Sequence, residues 1–226
     1  MTSNTENFRA VLTGAAKFLA LALMSAAVAV FIYHQVLIGQ DPSEAANENS
    51  PIELLQLALL LSSSALLAGV AWLRREGREG YALTAAFFLC MAIRESDAIF
   101  DHLFYHGAWL PFALAVAGAA SIAAIRRRGR ALSGLADIVS GKGFGLLCSG
   151  MSMVFVFSRI LGVKKIWMAI YRDVCCEEKA SSLCRAIKNI AEEGSELFGY
   201  ALIFAWALSF AVAAFLARRR RGSVSR

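Results

Sequence analysis

Residues 81–106 read YALTAAFFLCMAIRESDAIFDHLFYH, and this stretch decides the fold. Its apolar part, Tyr81 to Ile93, is too short to cross a bilayer, because a transmembrane helix needs about 20 residues. A helix that does span must carry Arg94, Glu95 and Asp97 inside the membrane or at its edge. Ionisable groups at that depth are costly and usually serve a function, so we expect a functional site here.

The composition of the whole chain is typical of a helical membrane protein. Of its 226 residues 58% are hydrophobic, and only three are proline. The formal net charge is +6, but the basic residues stand in short clusters beside apolar runs, which indicates membrane topology rather than nucleic-acid binding. We therefore expect one membrane domain over residues 1–226, with the lipid bilayer as a partner and no nucleic-acid partner.

Apolar segments of spanning length predict an all-α integral membrane protein, a bundle of about six transmembrane helices. Ser50 as N-cap and Pro51 at the first helical position predict the start of the second span. Gly194 and Ser195 predict a break and an N-cap that begin the sixth span. The predicted spans are residues 17–38, 51–73, 81–102, 108–125, 143–163 and 195–217.

Residues 164–193, between the last two spans, predict two short amphipathic helices on the outer membrane surface, because apolar residues recur there at helical spacing. This segment also contains Cys175, Cys176 and Cys184. In an oxidising periplasm Cys184 would form a disulfide with Cys175 or Cys176.

The basic residues predict the orientation of the spans. With both the N- and the C-terminus in the cytoplasm, the inner side carries fifteen basic residues and the first two outer loops carry none. An excess of arginine and lysine in cytoplasmic loops is the usual pattern of membrane proteins. We expect a multi-pass protein of the bacterial inner membrane.

This orientation brings unusual polar residues of several spans to one depth near the outer face. Span three runs outward, whereas spans two and six begin outside, so the ends that carry ionisable residues coincide. The predicted intramembrane polar network comprises Arg94, Glu95, Asp97, Asp101, Glu53, Arg159 and Glu196.

Helical geometry sorts the polar residues of span three into two faces. Arg94, Asp97 and Asp101 stand at i, i+3 and i+7, where Arg94 would form an ion pair with either aspartate. Because charges that face lipid are penalised, we expect Arg94, Glu95 and Asp97 to face the bundle interior, with Glu196 approaching from span six.

His102 and His106 stand four residues apart, the spacing at which two imidazoles on one helix bind one metal ion. Glu95 on the same face would complete a His-His-carboxylate set for a divalent metal cofactor. The alternative is that both histidines lie in the membrane interface, where amphipathic rings are stable.

Three functions fit this pattern. The first, which requires the least chemistry, is a structural role or the binding of another envelope protein. The second is a membrane-embedded hydrolase or lipid-modifying enzyme that acts on a lipid substrate, with Glu95, Asp101 and Glu196 as catalytic candidates. The third is a proton-coupled transporter that uses Arg94 and its carboxylates as a relay.

Overall fold

The computed structural model describes the backbone of residues 2–38, 50–171 and 177–224, and the side chains of residues 6–37, 50–169 and 184–220. The regular elements in these ranges are helices, which confirms the all-α prediction. A π-helical segment, Met153–Phe157, joins the helix that ends at Ser152 to the helix that begins at Ser158. The helices are α1 (Thr2–Ile38), α2 (Pro51–Leu73), α3 (Arg78–Glu95), α4 (Asp97–Leu103), α5 (Trp109–Arg126), α6 (Arg128–Ser140), α7 (Phe144–Ser152), α8 (Ser158–Leu161), α9 (Lys164–Tyr171) and α10 (Glu177–Val224).

Five helical segments of the described chain are long and apolar enough to cross a membrane: Glu6–Leu37, Pro51–Leu73, Trp109–Arg126, Phe144–Leu161 and Cys184–Arg220. Helix α3 is not among them, because two charged residues stand at each of its ends. Its 18 residues nevertheless make it about 27 Å long at 1.5 Å per residue, close to the ~30 Å thickness of the hydrocarbon layer.

The core lies between α2, α3 and α10. Leu60 and Leu67 on α2, Phe88 on α3, and Ile203 and Trp206 on α10 are almost completely buried. The start of α2 follows the prediction, since the Ser50 side chain accepts a hydrogen bond from the backbone N–H of Glu53 at 3.3 Å and Pro51 takes the first position. In contrast to α2, no residue in the spanning segment of α1 is buried.

The prediction of one continuous helix over residues 81–102 is wrong, because α3 ends at Glu95 and α4 begins at Asp97. Ser96 between them has φ −97° and ψ 17°, and its hydroxyl donates to the Ala92 carbonyl at 2.8 Å. The Asp97 carboxylate accepts a hydrogen bond from the Ala98 N–H at 2.7 Å. Short polar side chains thus satisfy the backbone groups at the break, as serine and aspartate often do.

The predicted break at Gly194 and Ser195 is also wrong, because α10 runs through both residues. The Ser195 hydroxyl donates to the Ala191 carbonyl one turn earlier, so the helix itself satisfies it. Gly194 lies against Ile32 of α1. Of the two predicted surface helices, the first is α9 and the second is part of α10.

Backbone contacts at glycines fix two helix pairs. A Cβ atom on Gly199 of α10 would lie 2.6 Å from Val154 Cγ2, and one on Gly150 of α7 would lie 2.7 Å from the Gly199 carbonyl oxygen. A Cβ on Gly80 of α3 would lie 2.4 Å from the Ala131 carbonyl oxygen of α6. Small residues permit such close approach of helices. The first contact brings α8 and its Arg159 against α10.

Candidate functional site

Polar side chains from four parts of the chain meet where α3 ends. They come from the first turns of α2, the last residues of α3, the π-to-α8 region and the middle of α10. We call this set the carboxylate network, and it comprises Gln56, Arg94, Glu95, Ser158, Arg159, Lys188, Glu192, Glu193, Glu196 and Tyr200.

Glu196 is the most buried acid of the network, with 2% of its surface exposed. The Arg159 guanidinium forms an ion pair with its carboxylate, and the Ser158 hydroxyl lies 3.1 Å from the same oxygen. Arg159 also contacts Glu192 at 3.3 Å, and Lys188 contacts Glu192 at 2.9 Å. Because a buried carboxylate is costly unless it is paired and hydrogen-bonded, these contacts are what permits Glu196 to be buried.

Glu95 forms the link between α3 and α10. Its Oε1 atom accepts a hydrogen bond from the Tyr200 hydroxyl at 2.8 Å and lies 2.8 Å from Arg94 Nη1. The Glu95 side chain is 12% exposed, whereas that of Arg94 is 51% exposed. Arg94 therefore neutralises the Glu95 carboxylate from the exposed side.

Gln56 links α2 to α10 in a similar way. Its amide nitrogen donates to the backbone carbonyl of Glu193 at 3.0 Å and to the Glu193 carboxylate at 3.1 Å. Gln56 is completely buried, and its amide oxygen Oε1 has no hydrogen-bond partner among the described residues. Gln56 therefore holds α10 against α2.

A cleft of about 260 Å³ opens beside these contacts. Its polar rim carries the two half-exposed guanidinium groups together with Glu95 and Tyr200, and its other walls are apolar. The lining residues are Met91, Arg94, Glu95, Val154, Phe155, Arg159 and Tyr200.

The structure thus brings Arg94, Glu95, Arg159 and Glu196 into one network, but with other pairings than predicted. Arg94 pairs with Glu95 and lines the cleft, so its predicted ion pair with Asp97 or Asp101 is wrong. Asp97 is exposed, which contradicts the prediction that it faces the interior. The break at Ser96 is the physical reason, because it removes the regular i, i+3 and i+7 spacing.

Two further predicted network residues lie apart from the cleft. Glu53 is half-buried in the first turn of α2. Asp101 organises the turn that follows α4, since its carboxylate accepts the Gly107 N–H at 2.8 Å and lies 2.6 Å from His106 Nδ1. The Gly107 hydrogen bond and the His106 contact lower the pKa of Asp101. Asp101 therefore has a local structural role in this geometry.

The predicted metal site of His102, His106 and Glu95 is wrong. Helix α4 ends at Leu103, so His106 lies beyond it in a turn and its side chain is 98% exposed. Gly107, with φ +82°, reverses the chain there. Within the described part of the chain, no group of three or more His, Cys, Asp or Glu side chains is arranged to hold a metal ion.

The predicted disulfide stays a prediction, because Cys175 and Cys176 lie outside the described residues. Cys184 is buried, and its sulfur lies 3.8 Å from the Trp167 carbonyl oxygen. This contact joins α9 to α10 without a covalent bond.

Tyr200 and Ser158 were not predicted, although each is close in sequence to a predicted network residue. Tyr200 follows Glu196 by one helical turn, and Ser158 precedes Arg159. For Tyr200 the spacing is a usable signal, since residues i and i+4 of a helix share a face and a polar group there can contact the same partners as the acid.

A second polar region, at the other end of the bundle, was missed entirely. Arg74 contacts the Asp137 carboxylate at 2.6 Å, and the Tyr81 hydroxyl donates to the same oxygen at 2.5 Å. Asp137 is the only acid on α6, and the sequence of that helix was interpreted only for its apolar stripe.

No family model, curated protein or solved structure matches this chain.

Proposed function

We propose that this chain is a multi-pass protein of the bacterial inner membrane in which the carboxylate network has a structural role. Three polar links each tie a different helix to α10: Gln56 from α2, Glu95 from α3 and Arg159 from α8. The network fixes these helices and holds the cleft open at the outer face, where an envelope protein would bind.

The observation that carries this proposal is the burial of Glu196 together with its pairing to α8. A general acid or base needs a lone pair or proton that reaches the substrate. Arg159 and Ser158 both contact Oε1 of the Glu196 carboxylate, and only 2% of the residue is exposed. An acid held in this way is suited to joining helices.

A stability measurement distinguishes the structural role from a catalytic one. Catalytic acids are kept for function, so replacing them is commonly neutral or stabilising, whereas a structural acid stabilises the fold. We expect Glu196→Gln to lower the free energy of unfolding in detergent by about 1.5–3 kcal/mol, the value of a hydrogen bond to a charged group. Glu76→Gln, at an exposed acid, is the matched control. A stabilised Glu196→Gln variant would contradict the structural role.

The proposed topology has six spans, with α3 as the third and both termini in the cytoplasm. Its support is that basic residues cluster where α2 ends and α3 begins, at Arg74, Arg75 and Arg78, and again at the end of α5 and in the last turns of α10. In intact cells an impermeant thiol reagent should add label to Ala45→Cys but none to Glu76→Cys, relative to the unsubstituted chain. The reverse pattern would place the cleft in the cytoplasm.

The binding of an envelope protein can be tested with a cross-linking residue in the wall of the cleft. Phe155 lines the cleft and is 50% exposed, whereas Leu114 on α5 is 61% exposed and lies away from it. A photo-crosslinking amino acid at position 155 should give a discrete protein adduct in cells, and the same residue at position 114 should not. Equal patterns would remove the envelope-protein part of the proposal.

A second candidate function, an enzyme acting on a lipid, is favoured by one observation. Glu95 and the Tyr200 hydroxyl, 2.8 Å apart, both line the open cleft. For transport, no such observation exists in the described chain. Leu60, Phe88 and Ile203 are buried next to the network on α2, α3 and α10, and the described buried residues of this layer carry no charged side chain through which a relay could continue.

A further inference from the structure

The polar region at the other end of the bundle encloses a pocket of about 520 Å³, which we call the arginine pocket. Three elements supply its charged walls. Arg74 and Arg75 follow α2, Arg218 lies near the end of α10, and Asp137 faces them from α6. The residues that converge here are far apart in sequence, so the fold has to assemble the pocket.

The charges of this pocket do not cancel. The Asp137 carboxylate is engaged by Arg74 and by the buried Tyr81. Arg75 and Arg218 have no ion-pair partner among the described residues, and both are exposed. The exposed Glu76 at the rim leaves the lining with an excess of one positive charge. A planar guanidinium matches the geometry of a phosphate group and binds it in a bidentate manner.

An apolar groove of about 630 Å³ adjoins the pocket on the surface between α2 and α10. Leu73 lines both, and Phe215 and Leu216 of the groove are neighbours in sequence of pocket residues. The Arg219 guanidinium lies 4.8 Å from the centre of the Phe215 ring, so a further cation borders this junction. A Cβ atom on Gly69 would meet nothing within 4 Å, which marks open space within the groove.

We propose that the arginine pocket and the groove together bind one anionic phospholipid. Arg75 and Arg218 bind its phosphate, Arg74 is held in place by Asp137, and one acyl chain lies along the groove past Gly69. The inner leaflet is the lipid source because, in the proposed topology, these arginines face the cytoplasm. A free phosphate ion matches the pocket but makes no use of the groove.

The test is native mass spectrometry of the full chain in detergent, with phosphatidylglycerol, phosphatidylcholine or inorganic phosphate as the probe. Two variants remove one half of the site each: Arg75→Gln with Arg218→Gln for the phosphate, and Gly69→Leu for the chain. Their matched controls are Arg126→Gln with Arg128→Gln, which removes the same charge elsewhere, and Gly118→Leu on α5, where a Cβ also has open space.

We expect phosphatidylglycerol to bind the native chain in preference to phosphatidylcholine. The Arg75 and Arg218 double variant should bind it about 30-fold more weakly, since each basic residue near anionic lipid contributes about 1 kcal/mol and 1.4 kcal/mol is tenfold. Gly69→Leu should also weaken binding, while both controls should bind within about threefold of the native chain.

Three results would overturn the proposal. Equal losses in the two arginine pairs would indicate a diffuse charge effect. Displacement of the lipid by millimolar inorganic phosphate, with Gly69→Leu unaffected, would indicate a free-anion site. Loss in Gly69→Leu alone, without headgroup preference, would indicate that the groove holds an acyl chain of any lipid and that the arginines take no part in binding. Thermal unfolding of each variant identifies one that fails to fold, and thiol labelling tests the topology separately.

Discussion

Two polar clusters at opposite ends of the bundle, the carboxylate network and the arginine pocket, use the same residue types in opposite ways. In the carboxylate network the acids are buried or partly buried and the arginines neutralise them, as Arg159 neutralises Glu196. In the arginine pocket the roles are reversed. The Asp137 carboxylate orients Arg74, while the other arginines stay exposed. A buried charge must have its partner inside the protein, whereas an exposed guanidinium remains available to a ligand. This contrast is why we propose a structural role for the carboxylate network and ligand binding for the arginine pocket.

The largest expected effect is at the buried acid. Arg159→Leu leaves Glu196 buried without its cation, and breaking such a pair costs about 3–5 kcal/mol. We expect the lower end of that range, because the Arg159 side chain is itself 44% exposed. Adding Glu196→Leu should recover most of the loss, because the orphaned charge is then gone. Chemical unfolding in detergent measures both, and a double variant as unstable as the sum of the singles would show that the two residues are uncoupled.

The next effect concerns the glycine contact that brings Arg159 to Glu196. Gly199→Ala would place a Cβ 2.6 Å from Val154 Cγ2, so one helix must shift, at a cost of about 1–3 kcal/mol. Gly145→Ala on the neighbouring α7 is the matched control, because a Cβ there meets nothing within 4 Å. The control should keep native stability, and equal melting temperatures for the two variants would contradict a close α7–α10 contact.

The part of this arrangement that could be predicted from sequence is the part set by local patterns. Ser50 and Pro51 correctly marked the start of α2, and the level of Glu95, Arg159 and Glu196 followed from counting residues along apolar spans. The ion-pair partner of each charged side chain could not be predicted in the same way. Whether Arg94 meets Glu95 or Asp97 depends on one serine that ends α3, and a helical wheel assumes that no such break exists.

The arginine pocket was unpredictable for a different reason. Clusters of loop arginines are already explained by the predicted topology, so they give no separate signal of a binding site. The contact that builds the pocket is the approach of α6 to α3 at Gly80, where a Cβ would lie 2.4 Å from the Ala131 carbonyl oxygen. A tertiary contact between two glycine-containing helices leaves no periodic pattern in the sequence.

A smaller effect is expected at the ion pair of the arginine pocket. The Arg74 and Asp137 side chains are 34% and 45% exposed, and exposed pairs contribute about 0.2–1 kcal/mol. Asp137→Asn should therefore lower stability by less than about 1 kcal/mol, well below Arg159→Leu. Raising the salt concentration should shrink this difference further, because exposed charges are screened. A loss as large as that of Arg159→Leu would remove the contrast between the two ends.

The smallest effect is expected at Arg94. Here an exposed cation neutralises a nearly buried acid, so the pair combines features of both clusters. Arg94 is 51% exposed and contacts Glu95, whose other partner is the Tyr200 hydroxyl at 2.8 Å. Since Tyr200 still satisfies Glu95 when the guanidinium is lost, Arg94→Leu should cost only about 0.2–1 kcal/mol. The coupling energy in a double-mutant cycle identifies the partner: Arg94→Leu should couple to Glu95→Leu and be additive with Asp97→Leu within about 0.5 kcal/mol. Coupling to Asp97 instead would mean that α3 and α4 form one continuous helix in the membrane, with Arg94 and Asp97 on a common face. In that event the break at Ser96, and with it the pairing assigned here to the rim of the cleft, would be incorrect.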